Sequence, residues 1–228
     1  MIIDKWIDKG NEILFQMITH HHQDHWQATT HLKEKYDIPI ALHPEFNSHF
    51  EVNKLLPDII LENKQVINLG MDKFNNIEWQ LNVEFLPGHA KDHISLIDQR
   101  FGALICGDII AGIGTVLIED YEDYMKSLEY LKSLNITTIF PGHGPVIKNG
   151  KQTILDYIKH RRMRETMIFD FIKENKSNTL SKITREVYSN IPTSFLSIAE
   201  QQVKVYLEYF KKKELIEFDK INSYYYLI

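Results

Sequence analysis

The sequence holds a single cysteine, Cys106, which excludes an internal disulfide framework and any cysteine-rich zinc site. That thiol sits in an apolar run, where burial accounts for it. No apolar stretch approaches the roughly 20 residues needed to cross a bilayer, so no membrane contact is expected. The opening residues 1–6 lack the basic region and long apolar stretch of a secretory signal, which predicts an intracellular protein. Basic excess is missing too. A net charge of -5 excludes the broadly positive surface that grips duplex DNA without regard to sequence. Internal repeats and low-complexity tracts are absent, and the sequence carries no signal for oligomeric state. What stands out is eleven histidines, several of them clustered.

The composition, 43% hydrophobic and 25% charged, suits a folded chain with room for one large and one small domain. Helical spacing of Ile3, Trp6 and Ile7 predicts a short opening helix. The apolar run 13–18 leads straight into the polar stretch 19–25, which reads as a strand delivering a loop. A helix is expected over 27–36, a strand over 38–42, and a short helix starting at Pro44. Trp79, Leu81, Val83 and Phe85 alternate with Gln80, Asn82 and Glu84, the period of a half-buried strand, which breaks at Pro87-Gly88. A hairpin over 94–105, a helix through Tyr121, Leu128 and Leu131, and a strand over 136–140 follow. Alternating strands and helices with polar residues at strand ends predict an α/β layered domain over 1–150, with its site on loops along one edge. A connecting helix over 151–174 then leads to a small domain at 175–228. Its order of two helices and two strands resembles a winged-helix module.

The pattern His-x-His-x-Asp-His at 20–25 follows the first strand. In an extended segment residues two apart face one side, so His20 and His22 can address one ion while Asp24 and His25 address a second. Later strand ends supply His89 after Pro-Gly, Asp108 after Cys-Gly and His143 after Pro-Gly, and the preceding glycines allow close backbone approach. The complete assignment gives His20, His22 and His89 to one ion and Asp24, His25 and His143 to the other, with Asp108 between them. Two doubly charged ions against two carboxylates leave surplus positive charge, suited to a hydroxide nucleophile and an anionic transition state. His93 is read either as support behind the ligands or as packing, and His21, His31, His43, His49 and His160 as surface or capping residues.

These motifs resemble the metallo-β-lactamase superfamily, whose His-x-His-x-Asp-His loop and later His, Asp and His occur in the same order. The resemblance implies an αββα sandwich, two Zn(2+) ions per chain and hydrolysis, with Asp24 and Asp108 as catalytic carboxylates. The short gap between Asp108 and His143 leaves no room for the large cap of the DNA- and RNA-processing nucleases of that superfamily. Within it, five segments resemble the beta-lactamase-like protein 2 branch: Pro87-Gly88-His89-Ala90-Lys91-Asp92-His93, Cys106-Gly107-Asp108, Glu119-Asp120-Tyr121-Glu122-Asp123-Tyr124-Met125, Pro141 to Ile147, and His160-Arg161-Arg162-Met163-Arg164-Glu165. That branch implies a zinc-dependent endoribonuclease on single-stranded RNA, in the mitochondrial matrix or cytoplasm. It also implies that strands preceding the opening helix are missing, leaving an exposed apolar edge on the first sheet that another chain covers or that brings lower stability or a stronger tendency to associate. Trp26 stands where relatives carry small residues.

Under the RNA reading, Arg161, Arg162 and Arg164 are expected to contact the phosphate backbone, and Tyr224, Tyr225 and Tyr226 to stack on bases. The C-terminal domain reads poorly as an independent DNA reader. Lys204, Lys211, Lys212, Lys213 and Lys220 are balanced by Glu200, Glu208, Glu214, Glu217 and Asp219. Two competing readings share the motif: a glyoxalase II-like thioesterase or small-ester hydrolase, and an inactive truncated product that only binds a partner.

Overall fold

The computed structural model describes residues 2–46, 56–72, 77–175 and 178–228. The expectation for His49, and any helix running on from Pro44 past residue 46, lie outside the described residues. Helix α1 (Ile2–Ile7) precedes the short strand β1 (Gln16–Met17), then come α2 (Gln23–Trp26), α3 (Thr29–Tyr36), β2 (Ile40–Leu42) and β3 (Ile59–Ile60). These three strands pair in parallel in the order β1-β2-β3, and a helical crossover between β1 and β2 is what a parallel pair requires. A second sheet contains β4 (Val66–Asp72), β5 (Ile77–Phe85), β6 (Ile94–Asp98), β7 (Ala103–Gly107) and β8 (Thr138–Pro141), in that order. Its first four strands are antiparallel neighbours, whereas β7 and β8 run parallel because α4 (Tyr121–Ser133) crosses between them.

The sheets face each other through Val83, Ile94 and Leu96 on one side and Ala41 and Leu61 on the other. The outer face of the first sheet buries Ile18, Ile40 and Leu42 with Phe46, and Trp26 packs against them. The outer face of the second buries Ile97, Leu104 and Ile139 with Leu128 of α4 and with Ile154 and Ile158 of α5 (Gly150–Glu174). The three-stranded sheet is narrower than its partner. Ile105, opposite Leu96, and Phe140, opposite Ile105, consequently keep 40% and 42% of their surface exposed on the inner face. The alternation in β5 also proves incomplete: Trp79 is 40% exposed, while Glu84, expected outside, is buried, paired with Lys64 and accepting from the Tyr130 hydroxyl at 2.8 Å. The cause is tertiary, since α4 covers that face of the strand.

Beyond α5 lie α6 (Leu180–Val187), a 3-10 turn (Thr193–Phe195), α7 (Leu196–Lys212) and an antiparallel hairpin of β9 (Ile216–Asp219) and β10 (Tyr224–Leu227). This segment shares the core of the second sheet. The same cluster runs from Leu104 and Ile139 through Ile168 and Ile172 to Val203, Phe210 and Tyr225. The Gln202 amide both accepts from Ile118 N–H at 3.0 Å and donates to Ile118 C=O at 3.1 Å, which ties α7 to the loop before α4. No helix among the described residues is long and apolar enough to cross a membrane.

Asp120 starts α4 with extended backbone geometry, and its side chain accepts from Asp123 N–H at 2.8 Å, the usual N-cap bond. Replacing it by alanine is expected to cost about 1 kcal/mol, a lowering of the melting temperature by roughly 2–4 °C that thermal unfolding would register. An unchanged melting temperature would mean that the cap contributes nothing.

Candidate metal centre

The histidine-rich loop leaves β1 as an extended segment and then coils. His20 and His22 precede α2, but Asp24 and His25 lie on its single turn, so the expectation of a fully extended motif is corrected after residue 22. The loop is anchored from several sides. Trp26 Nε1 donates to the His21 carbonyl at 2.9 Å, the Thr19 hydroxyl meets Nδ1 of His20 at 3.0 Å and Nδ1 of His25 at 3.5 Å, and Thr19 C=O accepts from Ile94 N–H at 2.7 Å. Trp26 therefore braces the motif from behind.

His20 Nε2, His22 Nδ1 and His89 Nε2 converge into one triangle with sides of 3.0, 3.0 and 3.1 Å. A second group sets His143 Nε2 at 3.0 Å from Asp24 Oδ2 and 3.2 Å from His25 Nε2, with Asp24 Oδ2 and His25 Nε2 3.5 Å apart. Donor atoms sharing one tetrahedral zinc at ~2.0–2.1 Å stand about 3.3 Å from each other, so both groups have the spacing of a ligand set. Asp108 Oδ2 lies 3.4 Å from both His25 Nε2 and His143 Nε2 and 3.9 Å from His89 Nε2, between the two groups. Its other oxygen, Oδ1, is buried without a hydrogen-bond partner. The structure thus brings together all seven expected ligands, in the two groups expected.

The protonation states of the first group suit cation binding. Burial, reinforced by the neighbouring imidazoles, holds His20 and His22 below the usual histidine range, and burial pushes His89 down to about 4. Leu117 C=O accepts from His89 Nδ1 at 2.7 Å, which leaves Nε2 with a free lone pair toward the cluster. Burial opposes charging of His25, but its bond to Asp108 outweighs this and raises it. The Asp108 carboxyl is held low: burial pushes it up, and the facing His25, His143 and His89 more than compensate.

His93 supports the ligands from behind. Fully buried and pushed down to about 3 by that burial, it accepts from Asp108 N–H through Nε2 at 3.0 Å. Of the histidines expected as surface or capping residues, His21 is half-buried in an ion pair and His43 is buried but does cap the backbone that follows it. His21 bonds Asp92 Oδ1 at 2.8 Å, Asp92 being fully buried, and His43 is buried, accepting from Glu45 N–H at 3.0 Å. The glycine before each later ligand has a reason only the tertiary structure reveals. A Cβ on Gly88, at φ +127°, would fall on the Tyr124 backbone, and one on Gly142 would fall on Asp108 Oδ1 and His25.

The arginines separate. Arg161 is corrected from a substrate contact to a buried residue: 3% exposed, it donates to Val116 C=O and lies 5.0 Å from the Tyr124 ring centre. Arg164 is half-buried, 4.5 Å from the Tyr188 ring centre, and donates to Val187 C=O. Arg162 alone of the three is well exposed, paired with Glu129 at 2.9 Å. Among the tyrosines, Tyr225 is core, stacked 4.7 Å from Phe218, while Tyr224 and Tyr226 share the opposite face.

The chain belongs to the metallo-beta-lactamase superfamily, whose family model matches residues 11–143. Members of that superfamily are generally hydrolases, and the His/Asp cluster of this chain is a candidate site for divalent metal. It is 32% identical over 221 residues to a beta-lactamase-like protein 2 homolog of Caenorhabditis elegans, covering 91% of this chain and 68% of the relative. To the homolog of that name in Drosophila melanogaster it is 34% identical, covering 61% and 48%. An atrochrysone carboxyl ACP thioesterase of Aspergillus fumigatus is 32% identical, covering 67% and 45%, so the chain spans about half the length of these last two relatives. A metallo-beta-lactamase family protein of Thermus thermophilus shares the fold over the whole chain and 85% of its own, with a TM-score of 0.74 at 16% identity. A structure solved in a di-iron-bound form matches 66% of this chain and 80% of its own, at a TM-score of 0.51 and 28% identity.

Proposed function

We propose that this chain is a two-zinc hydrolase that cleaves phosphodiester bonds in single-stranded RNA. Divalent ions in the two clusters would supply Lewis-acid activation of water and neutralise the oxygens of an anionic transition state. The chain's own residues decide where this happens. Asp108 holds the two clusters together, His93 and Leu117 fix the orientation of Asp108 and His89, and Asp24, 58% exposed in its side chain, accepts a proton from attacking water at the open rim. The placement of Asp108 Oδ2 within 3.9 Å of both clusters carries the hydrolytic reading. The RNA substrate is supported by the extent of the likeness to the Caenorhabditis elegans homolog, which covers 91% of the chain against 67% for the thioesterase. Thioester hydrolysis is the second reading, favoured by that thioesterase likeness.

Purified protein loaded with zinc, and a chelated control, would be assayed on single-stranded RNA and on a thioester panel. RNA cleavage lost on chelation is the expected result, and Arg162→Ala is expected to slow it severalfold with a shallower salt dependence. Thioester turnover with no RNA cleavage would replace the first reading by the second. No hydrolysis with well under two metals per chain would favour a binding-only product.

A further inference from the structure

A cavity of about 320 Å³ lies between the loop before α4, the middle of α5 and the start of α7, outside the metal clusters. Leu117, Ile191, Phe195 and Ile198 make its walls apolar, and Arg161 and Arg164 reach it from α5. Its size is at the lower end for small-molecule sites. The cationic side is uncompensated. Among the described residues neither guanidinium has a carboxylate within salt-bridge distance: Arg161 is held by Val116 C=O and Arg164 by Val187 C=O and the Tyr188 ring. Carbonyl oxygens and rings satisfy the geometry of these groups but leave their charge without a counter-ion, an arrangement that favours an anion in a low-dielectric setting. Phe195 and Ile198 remain 54% and 40% exposed, so the apolar walls are open to a ligand.

We propose that this cavity binds an amphiphilic monocarboxylate, its apolar body against Leu117, Phe195 and Ile198 and its head beside Arg164. The chemistry follows from the lining: apolar walls select an aliphatic or aryl body, and unpaired guanidinium charge selects a carboxylate over a neutral or cationic head. The site is separate from the metal ligands. It nevertheless touches them through Leu117, whose side chain lines the cavity and whose carbonyl orients His89.

The test is calorimetric titration of the full chain with decanoate, decanol and decylamine below their micellar concentrations, with zinc and after chelation. Decanoate is expected to bind about tenfold more tightly than decanol, decylamine weakest of all, and the preference is expected to survive chelation. Ile198→Glu, at a partly exposed position, should abolish decanoate binding without altering the melting temperature, and Arg164→Gln should bring decanoate down to decanol. Equal affinity for all three heads, or no binding, overturns the proposal. Decanoate binding that disappears on chelation, or that Ile198→Glu leaves intact, assigns the carboxylate to the metal centre or another surface and overturns it equally.

Discussion

Asp108→Asn is expected to lower hydrolysis by about a hundredfold or more while the chain stays folded. The substitution keeps the size of the side chain and removes its charge. Among the described residues, Asp108 Oδ2 is the one carboxylate oxygen that stands within 3.9 Å of ligand atoms from both clusters. An amide there loses the negative charge that balances two cations and can offer a nitrogen, which carries no lone pair for a metal, where an oxygen stood. Metal content should therefore fall below two ions per chain together with turnover. Steady-state rates, metal analysis and thermal unfolding on the same preparation would check this. Wild-type turnover with full metal content would sink the bridging role of Asp108.

Arg161→Ala is expected to destabilise the fold by about 3 kcal/mol, whereas Arg162→Ala, its neighbour in sequence, is expected to change stability by no more than about 0.5 kcal/mol. The difference lies in burial. Arg161 is 3% exposed, lies over Tyr124 and donates to Val116 C=O, so truncation opens a void and leaves that carbonyl short of a partner. Arg162 is paired with Glu129 at the surface, where water screens the pair and replaces its bonds. In thermal unfolding the first variant should melt roughly 6–12 °C lower. Equal stability of the two would mean that Arg161 is not the structural group its burial makes it, and would return it to the surface role first expected.

The fate of Arg161 shows how much was legible. Read as part of a basic run, 159–164 looks like a solvated helix face. Yet Arg161 continues the stripe of Ile154, Ile158, Ile168 and Ile172, all buried, so its helical phase was already visible in the spacing. What the spacing could not say is that an arginine on that stripe would find Tyr124 and Val116, which come from segments distant in sequence. Asp92 and Glu84 are similar cases: both are charged and buried, and their partners, His21 and Lys64, come from other segments.

The sequence by itself pointed to seven candidate ligands, to their division into two groups and to the alternation of strands and helices that carries them. Each of those signals is local: two histidines two residues apart face one side, an apolar run ends at a turn, a glycine precedes a ligand. Tertiary structure alone decided what fixes those ligands in place. Trp26 bonds the His21 carbonyl, His93 takes the Asp108 N–H, Leu117 C=O sets the tautomer of His89, and the Tyr124 backbone excludes any side chain at residue 88. It also decided that Ile105 and Phe140 stay partly exposed, because among the described residues a five-stranded sheet faces one of three strands. The physical reason is common to all of these. Periodicity reports which way a side chain points from its own element, whereas burial and hydrogen bonding depend on which distant element lies opposite, and that is settled only when the layers pack.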